Sequence, residues 1–356
     1  MFRRLAATFV VLVLAMTGAH ALQDPVPQVL ASPPFEAYLE PLRQQAGIPG
    51  LSAVILLDGE VAWERGFGFQ NVEARIRATP DTPYVVADLS QTFAAVLLLQ
   101  CVETRHLALD EPVQTYGVTF PEPGVTMRQL MSHTSTGAPG LGFRYAPDRY
   151  ARLTELVTTC IPQPYRKSVS HRILEHLAMR DSVPGRDLQD PAVVPEGLYD
   201  PADLERYQRV LERLAVPYRV DRRNRLTRVD VPIEGINAAT GLVSTARDLA
   251  LFDRALDSSL LLESTRNLAW TNASAADFST VPMGLGWFVQ YYRGERIVWH
   301  FGLVPNAYSS LILKVPSRKL TVILLANSDK LNSAFQLSEG DVTRSVFASL
   351  FLRLFI

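Results

Sequence analysis

Thr82-Pro83-Tyr84-Val85-Val86-Ala87-Asp88-Leu89-Ser90-Gln91-Thr92-Phe93-Ala94-Ala95-Val96-Leu97-Leu98-Leu99-Gln100 leads into a long apolar helix. The apolar positions Phe93, Val96, Leu97 and Cys101 predict a helix over residues 92–103. Asp88 stands where an N-cap is wanted, and Gln91 follows three residues later, the spacing of a capping box. Such a cap contributes roughly 0.5–2 kcal/mol, and a carboxylate also suits the positive end of the helix dipole. Ser90 lies two positions past Asp88, so on a helix it points about 200° away around the axis.

Outward from this segment, both ends of the chain read as sheet. Residues 35–46 have helical spacing through Phe35, Tyr38, Leu39 and Leu42. Residues 51–57 form a β-rich run, and Asp58-Gly59 before Val61-Ala62-Trp63 marks a hairpin. Gly66 and Gly68 fit close packing at a strand end better than a phosphate loop, since no helix follows them. Residues from 92 to about 219 read as mainly helical, interrupted at Pro121-Glu122-Pro123-Gly124 and Gly137-Ala138-Pro139-Gly140. A helix is predicted over 245–256. Strand character returns at 286–292, 297–301, 309–315 and 320–326. The last segment, 342–355, has helical apolar spacing through Val346, Phe347, Leu350, Phe351 and Leu354. It is too short to span a bilayer, so packing on the sheet is expected. The simplest architecture is a sheet built from both chain ends with a helical lobe inserted between them.

The 356 residues are 47% hydrophobic and 20% charged, with a net charge of −1. That balance suits a large globular domain and gives no reason to expect a nucleic-acid partner. Arg3 and Arg4, the apolar run from Leu5 to Met16, and Ala19-His20-Ala21 read as a signal peptide over 1–21, followed by a linker over 22–34. The expectation is an exported protein, periplasmic or secreted, with no stable membrane span after cleavage. Cys101 and Cys160 allow a single intramolecular pairing; the preferred reading is two buried apolar thiols.

Several stretches together carry a family resemblance. The Asp88 segment is one. Leu107-Ala108-Leu109-Asp110-Glu111-Pro112-Val113, Val125-Thr126-Met127-Arg128-Gln129-Leu130-Met131-Ser132-His133-Thr134-Ser135, Ile173-Leu174-Glu175-His176-Leu177-Ala178-Met179 and Ala239-Thr240-Gly241-Leu242-Val243-Ser244-Thr245-Ala246-Arg247-Asp248-Leu249 are the others. In this order and spacing, residues 35–355 resemble the β-lactamase-related and penicillin-binding-protein-like serine hydrolases. The resemblance implies an α/β (α+β), transpeptidase-like fold: an antiparallel sheet flanked by helices, with an inserted all-helical lobe. The sheet lobe would comprise 35–85 and 236–356, and the helical lobe 86–235.

It also implies three motifs meeting in one cleft. The first, Ser-x-x-Lys, is replaced at both positions, by Asp88 and Gln91. The second, Tyr-x-Asn, survives by half as Tyr145-Ala146-Pro147. The third is His300-Phe301-Gly302, which fits. Backbone amides of Asp88 and Leu303 would be the oxyanion donors, with Pro147, Phe301, Gly302 and Leu303 on the ligand side. Acyl transfer needs an activated nucleophile and a base. Asp88 could attack only as a carboxylate, giving an anhydride. Gln91 is a neutral amide that takes up no proton, and Pro147 has no side-chain amide. His300, titrating near neutrality, would bind anions less well above about pH 6.5.

Other chemistry finds little footing. His171 and His176 are five apart rather than four, and there is no Cys-x-x-Cys or His-Glu-x-x-His, so no metal or other cofactor is expected. The arginines between Arg219 and Arg228 read as a solvated strand or loop. The sequence thus points to a pseudoenzyme that binds a small acylated or peptide-like ligand, or a protein of unknown identity. The alternative is a weak esterase, amidase or D-Ala-D-Ala peptidase with a substitute nucleophile.

Overall fold

The computed structural model describes residues 34–356; the expected signal segment 1–21 and all of the linker but its last residue lie outside them. Helix α1 (Pro34–Gln45) leads into strands β1 (Gly50–Leu57), β2 (Glu60–Asn71), β3 (Ile76–Arg77) and β4 (Tyr84–Val85). Helix α2 (Ser90–Glu103) follows, then short helices ending in α3 (Leu153–Cys160). Strands β5 (Val183–Pro184), β6 (Tyr218–Val220), β7 (Leu226–Arg228) and β8 (Leu242–Ser244) precede helix α4 (Ala246–Ser258). Strands β9 (Phe288–Tyr292), β10 (Glu295–Val304), β11 (Tyr308–Val315) and β12 (Leu320–Ala326) and helix α5 (Val346–Phe355) complete the chain.

The main sheet has the order β3-β2-β1-β12-β11-β10-β9, so its two halves come from opposite ends of the sequence. The join is the antiparallel pair β1–β12, in register from Leu51 opposite Ala326 to Leu57 opposite Leu320. The β1–β2 hairpin turns at Asp58 (φ 53°) and Gly59 (φ 79°), both left-handed, as a two-residue Asp-Gly turn requires. Alternation assigns the two faces. Leu51, Ala53 and Ile55 of β1, with Leu320, Val322 and Leu324 of β12, enter one apolar cluster; Val54, Leu56, Ile323 and Leu325 enter the other. The first face is covered by α1 and α5, where Phe35 meets Phe351 and Phe355 at ring-centroid distances of 6.2 and 5.9 Å. No helix among the described residues is long and apolar enough to cross a membrane.

The second face carries α2. Every residue from Ser90 to Leu99, and Cys101, is buried. A helix apolar on all sides has to be enclosed on all sides. Here the sheet lies beneath it and the intervening segment wraps the rest; Phe252 of α4 stacks on Phe93 at 3.9 Å. That intervening segment is less helical than its composition suggests. Its elements are mostly short, with a π-turn at Ser170–Glu175, the β6–β7 hairpin, and a small sheet β4-β8-β5.

Cys101 and Cys160 are bonded to each other, correcting the expectation of two free thiols. The bond joins the end of α2 to the end of α3 and closes a loop of sequence separation 59. By loop-closure entropy it contributes about 4 kcal/mol. The double variant Cys101→Ala/Cys160→Ala is expected to lose stability of that order in a denaturant titration, while an unchanged midpoint would show that the link is thermodynamically idle.

Candidate active-site cleft

After β4 the chain enters a tight turn, Ala87–Leu89, and then α2. Ala87 has φ 50°, a left-handed conformation unfavourable for a residue with a Cβ. It is held there by β10. A Cβ on Gly302 would lie 2.1 Å from the Val86 carbonyl oxygen and 3.1 Å from the Ala87 Cβ, so only glycine lets the strand approach this closely. Ser310 Oγ donates to the same Val86 carbonyl at 2.8 Å.

This approach decides what Asp88 does. Its Oδ2 accepts a hydrogen bond from the Leu303 backbone N–H at 3.3 Å. The helix N-cap is Leu89, with no side-chain cap, so the expected Asp88–Gln91 capping box does not form. Asp88 is partly exposed by surface area yet surrounded closely enough that desolvation dominates. Desolvation pushes its carboxyl up to about 7, against the N–H groups of Leu303 and Asp88 itself, which lower it. The amide expected to serve as an oxyanion donor is therefore occupied by the side chain at the nucleophile position.

Gln91 is fully buried and bridges two aromatic groups. Its Nε2 donates to Tyr145 Oη at 3.0 Å, and its Oε1 faces His133 Nε2 at 3.0 Å. The Ala146 backbone N–H donates to His133 Nδ1 at 3.0 Å. Nδ1 is thus an acceptor, so the proton sits on Nε2 and points at Gln91 Oε1. Burial, then the nearby His300, hold the His133 imidazole down to about 3, so it is neutral at physiological pH. Tyr145 Oη is held well above its usual titration range, by burial first and by Asp88 second. Tyr150 Oη donates to the Gln91 carbonyl oxygen at 3.0 Å and closes the inner side.

His300 also departs from its expected role. It is fully buried, and its Nδ1 lies 2.8 Å from the Phe301 carbonyl oxygen. Burial lowers its imidazole to about 4 despite that bond. It is neutral near pH 7, so the expected loss of anion binding above about pH 6.5 has no charged group behind it. β9 pairs with β10 only from Glu295 to Trp299, which leaves one edge of residues 300–304 without a strand neighbour. On that edge the Leu303 N–H goes to Asp88 and the Phe301 carbonyl to His300. The Phe301 ring is buried in the sheet's outer cluster, 5.4 Å from the Tyr145 ring. Pro147 opens the helix Pro147–Tyr150 and supplies no side-chain donor.

Asp88, Gln91, Tyr145, His300, Gly302 and Leu303 thus meet in one place. Ser90 turns away: its Oγ donates to the Ala87 carbonyl at 2.7 Å and accepts from Leu242 N–H at 3.2 Å, and it is fully buried. Sequence reasoning missed His133 as a member of the cluster, although it lies in the Val125–Ser135 stretch already singled out.

The Beta-lactamase family model matches residues 35–340. The chain belongs to this family. Over 104 residues, 27% of this chain, it is 35% identical to the human mitochondrial serine beta-lactamase-like protein LACTB, of which that match covers 19%. With Protein flp of Staphylococcus aureus MW2 it shares 22% identity over 338 residues, covering 85% of this chain and 63% of flp. The chain therefore spans less than two thirds of either relative. A solved structure, the octameric penicillin-binding protein homologue from Pyrococcus abyssi, superposes with a TM-score of 0.72 at 23% identity, covering 90% of this chain and 77% of that one. That likeness is one of fold, a mixed α/β body around an antiparallel sheet.

The Asp88 environment has a measurable signature. The folded protein holds the Asp88 proton more tightly than an unfolded aspartate of pKa about 3.9 does. The stabilising difference is complete below that value and is lost as pH rises through about 7. Asp88→Asn keeps the Leu303 acceptor without the charge. Its melting temperature is expected to exceed the wild type's by several degrees near pH 8 and to match it near pH 4, read by calorimetry across the range.

Proposed function

We propose that this chain is an exported, non-acylating member of the family that binds a ligand in its cleft rather than cleaving one. One observation carries the reading: the Asp88 carboxylate occupies the Leu303 N–H. A tetrahedral oxyanion forming there would meet a like charge in place of a donor. Two unit charges about 4 Å apart at an effective dielectric near 20 repel by about 4 kcal/mol, worth roughly a thousandfold in rate. Proton transfer is equally unsupported. Gln91 spends both ends of its amide on His133 and Tyr145, and both histidines of the cluster are held neutral, far below their usual range. A substitute nucleophile finds no support in Ser90, whose hydroxyl is consumed by backbone groups.

The ligand class inherited from the family is a small acylated or peptide-like molecule. Export rests on the basic, apolar and small-residue order of residues 1–21. The test is covalent labelling of the mature protein with a fluorescent penicillin and a fluorophosphonate, read by intact mass. The expected result is unmodified protein with both reagents. A stoichiometric adduct on any serine overturns the reading.

A further inference from the structure

Among the described residues, the cluster about Asp88 contains no cation. His300 Nδ1 faces a carbonyl oxygen, which only accepts, so Nδ1 carries the proton and Nε2 presents a lone pair. Nε2 is buried and has no partner. Asp88 forms no ion pair among the described residues, and the groups that set its ionisation include no arginine or lysine. Its carboxylate offers about four acceptor sites, of which the Leu303 N–H fills one. In the supporting chain the His133 Nε2–H and one Gln91 Nε2 hydrogen are spent inside it, and the hydrogens left over, on the Gln91 amide and the Tyr145 hydroxyl, are uncharged donors. The partly exposed group is a carboxylate without a counter-ion, and the buried imidazole of the same cluster has an acceptor without a donor.

The walls are aromatic. The Tyr145 ring lies 6.3 Å from His300, 5.4 Å from Phe301 and 5.5 Å from Phe288, and Phe143 packs on Phe288 at 6.2 Å. Ring faces attract cations. Tyr145 and Phe143 are the partly buried members of this aromatic group.

We propose that the cleft selects a protonated primary amine on a small apolar or aromatic body, the ammonium donating to the Asp88 carboxylate. This rests on the non-acylating reading and adds a ligand class to it. The spare acceptors of Asp88 carry the charge of the cluster, while the cluster's spare donors are neutral. An ammonium, with three donors and a positive charge, supplies what is missing.

The probes are benzylamine, phenylacetate and benzyl alcohol, titrated by calorimetry into the mature protein and into Asp88→Asn near pH 8. Benzylamine is expected to bind the wild type and the other two not. Asp88→Asn, an isosteric change that keeps the Leu303 contact, is expected to weaken benzylamine by roughly tenfold or more. The other titratable groups of the cluster are Tyr145, whose ionisation feels Asp88, and His133 and His300, and none changes charge between about pH 5 and 9. Benzylamine affinity is therefore expected to fall as pH drops through about 7, tracking Asp88 alone. The proposal is overturned if benzylamine fails to bind, if phenylacetate binds as tightly, or if Asp88→Asn leaves the amine's affinity unchanged. Each of those results leaves the non-acylating reading standing when no penicillin adduct forms; an adduct sinks both.

Discussion

The molecule is organised by the need to enclose a helix that has no polar side. In α2 even Ser90, Gln91 and Thr92 are buried, and the apolar run from Phe93 to Leu99 is covered all round. Trimming one such large side chain costs about 2–5 kcal/mol, so the helix can neither rotate nor slide without losing several contacts at once. The disulfide to Cys160 ties down its far end. Positions 88 and 91 are therefore delivered to the same place whatever residues they hold. This separates frame from chemistry: the packing that aims the site is spread over the whole domain, while reactivity belongs to two side chains.

Those side chains have been absorbed into the frame. Asp88 bonds to the strand edge and Gln91 links a histidine to a tyrosine, and His300 likewise is bonded to the carbonyl of its neighbour. Each of these bonds is internal to the chain, and the two histidines are both neutral by desolvation. The one charge in the cluster is that of Asp88, whose ionisation sits near neutrality because little but backbone N–H groups opposes its burial.

Strands β1, β2 and β9 to β12 and the hairpin were legible in the sequence because β-rich runs and Asp-Gly are local signals, whereas the short strands β3 to β8 were not. The β1–β12 join was legible only through the order of elements, since pairing across the chain leaves no local mark. The disulfide was not: two cysteines 59 residues apart carry no information about distance. The capping box failed for a specific reason. Asp-x-x-Gln suits a helix start in isolation, but Gly302 brings the Leu303 amide close to the Ala87–Leu89 turn, and a long-range partner displaced the local one. The depth of His300 was equally hidden, because it depends on Tyr145 and Phe288 packing about its ring from other parts of the chain.

The bonds from Ala146 through His133 and Gln91 to Tyr145 have a direction. A main-chain N–H at one end fixes the histidine tautomer, the tautomer fixes which way the amide lies, and the amide gives its hydrogen to the phenol. Turning that amide over would set hydrogens against each other at the imidazole, whereas the tyrosine hydroxyl could simply turn its own hydrogen to the amide oxygen. The orientation of Gln91 is thus dictated by a peptide unit it never touches, and the tyrosine's own hydrogen is left free to point away from the helix.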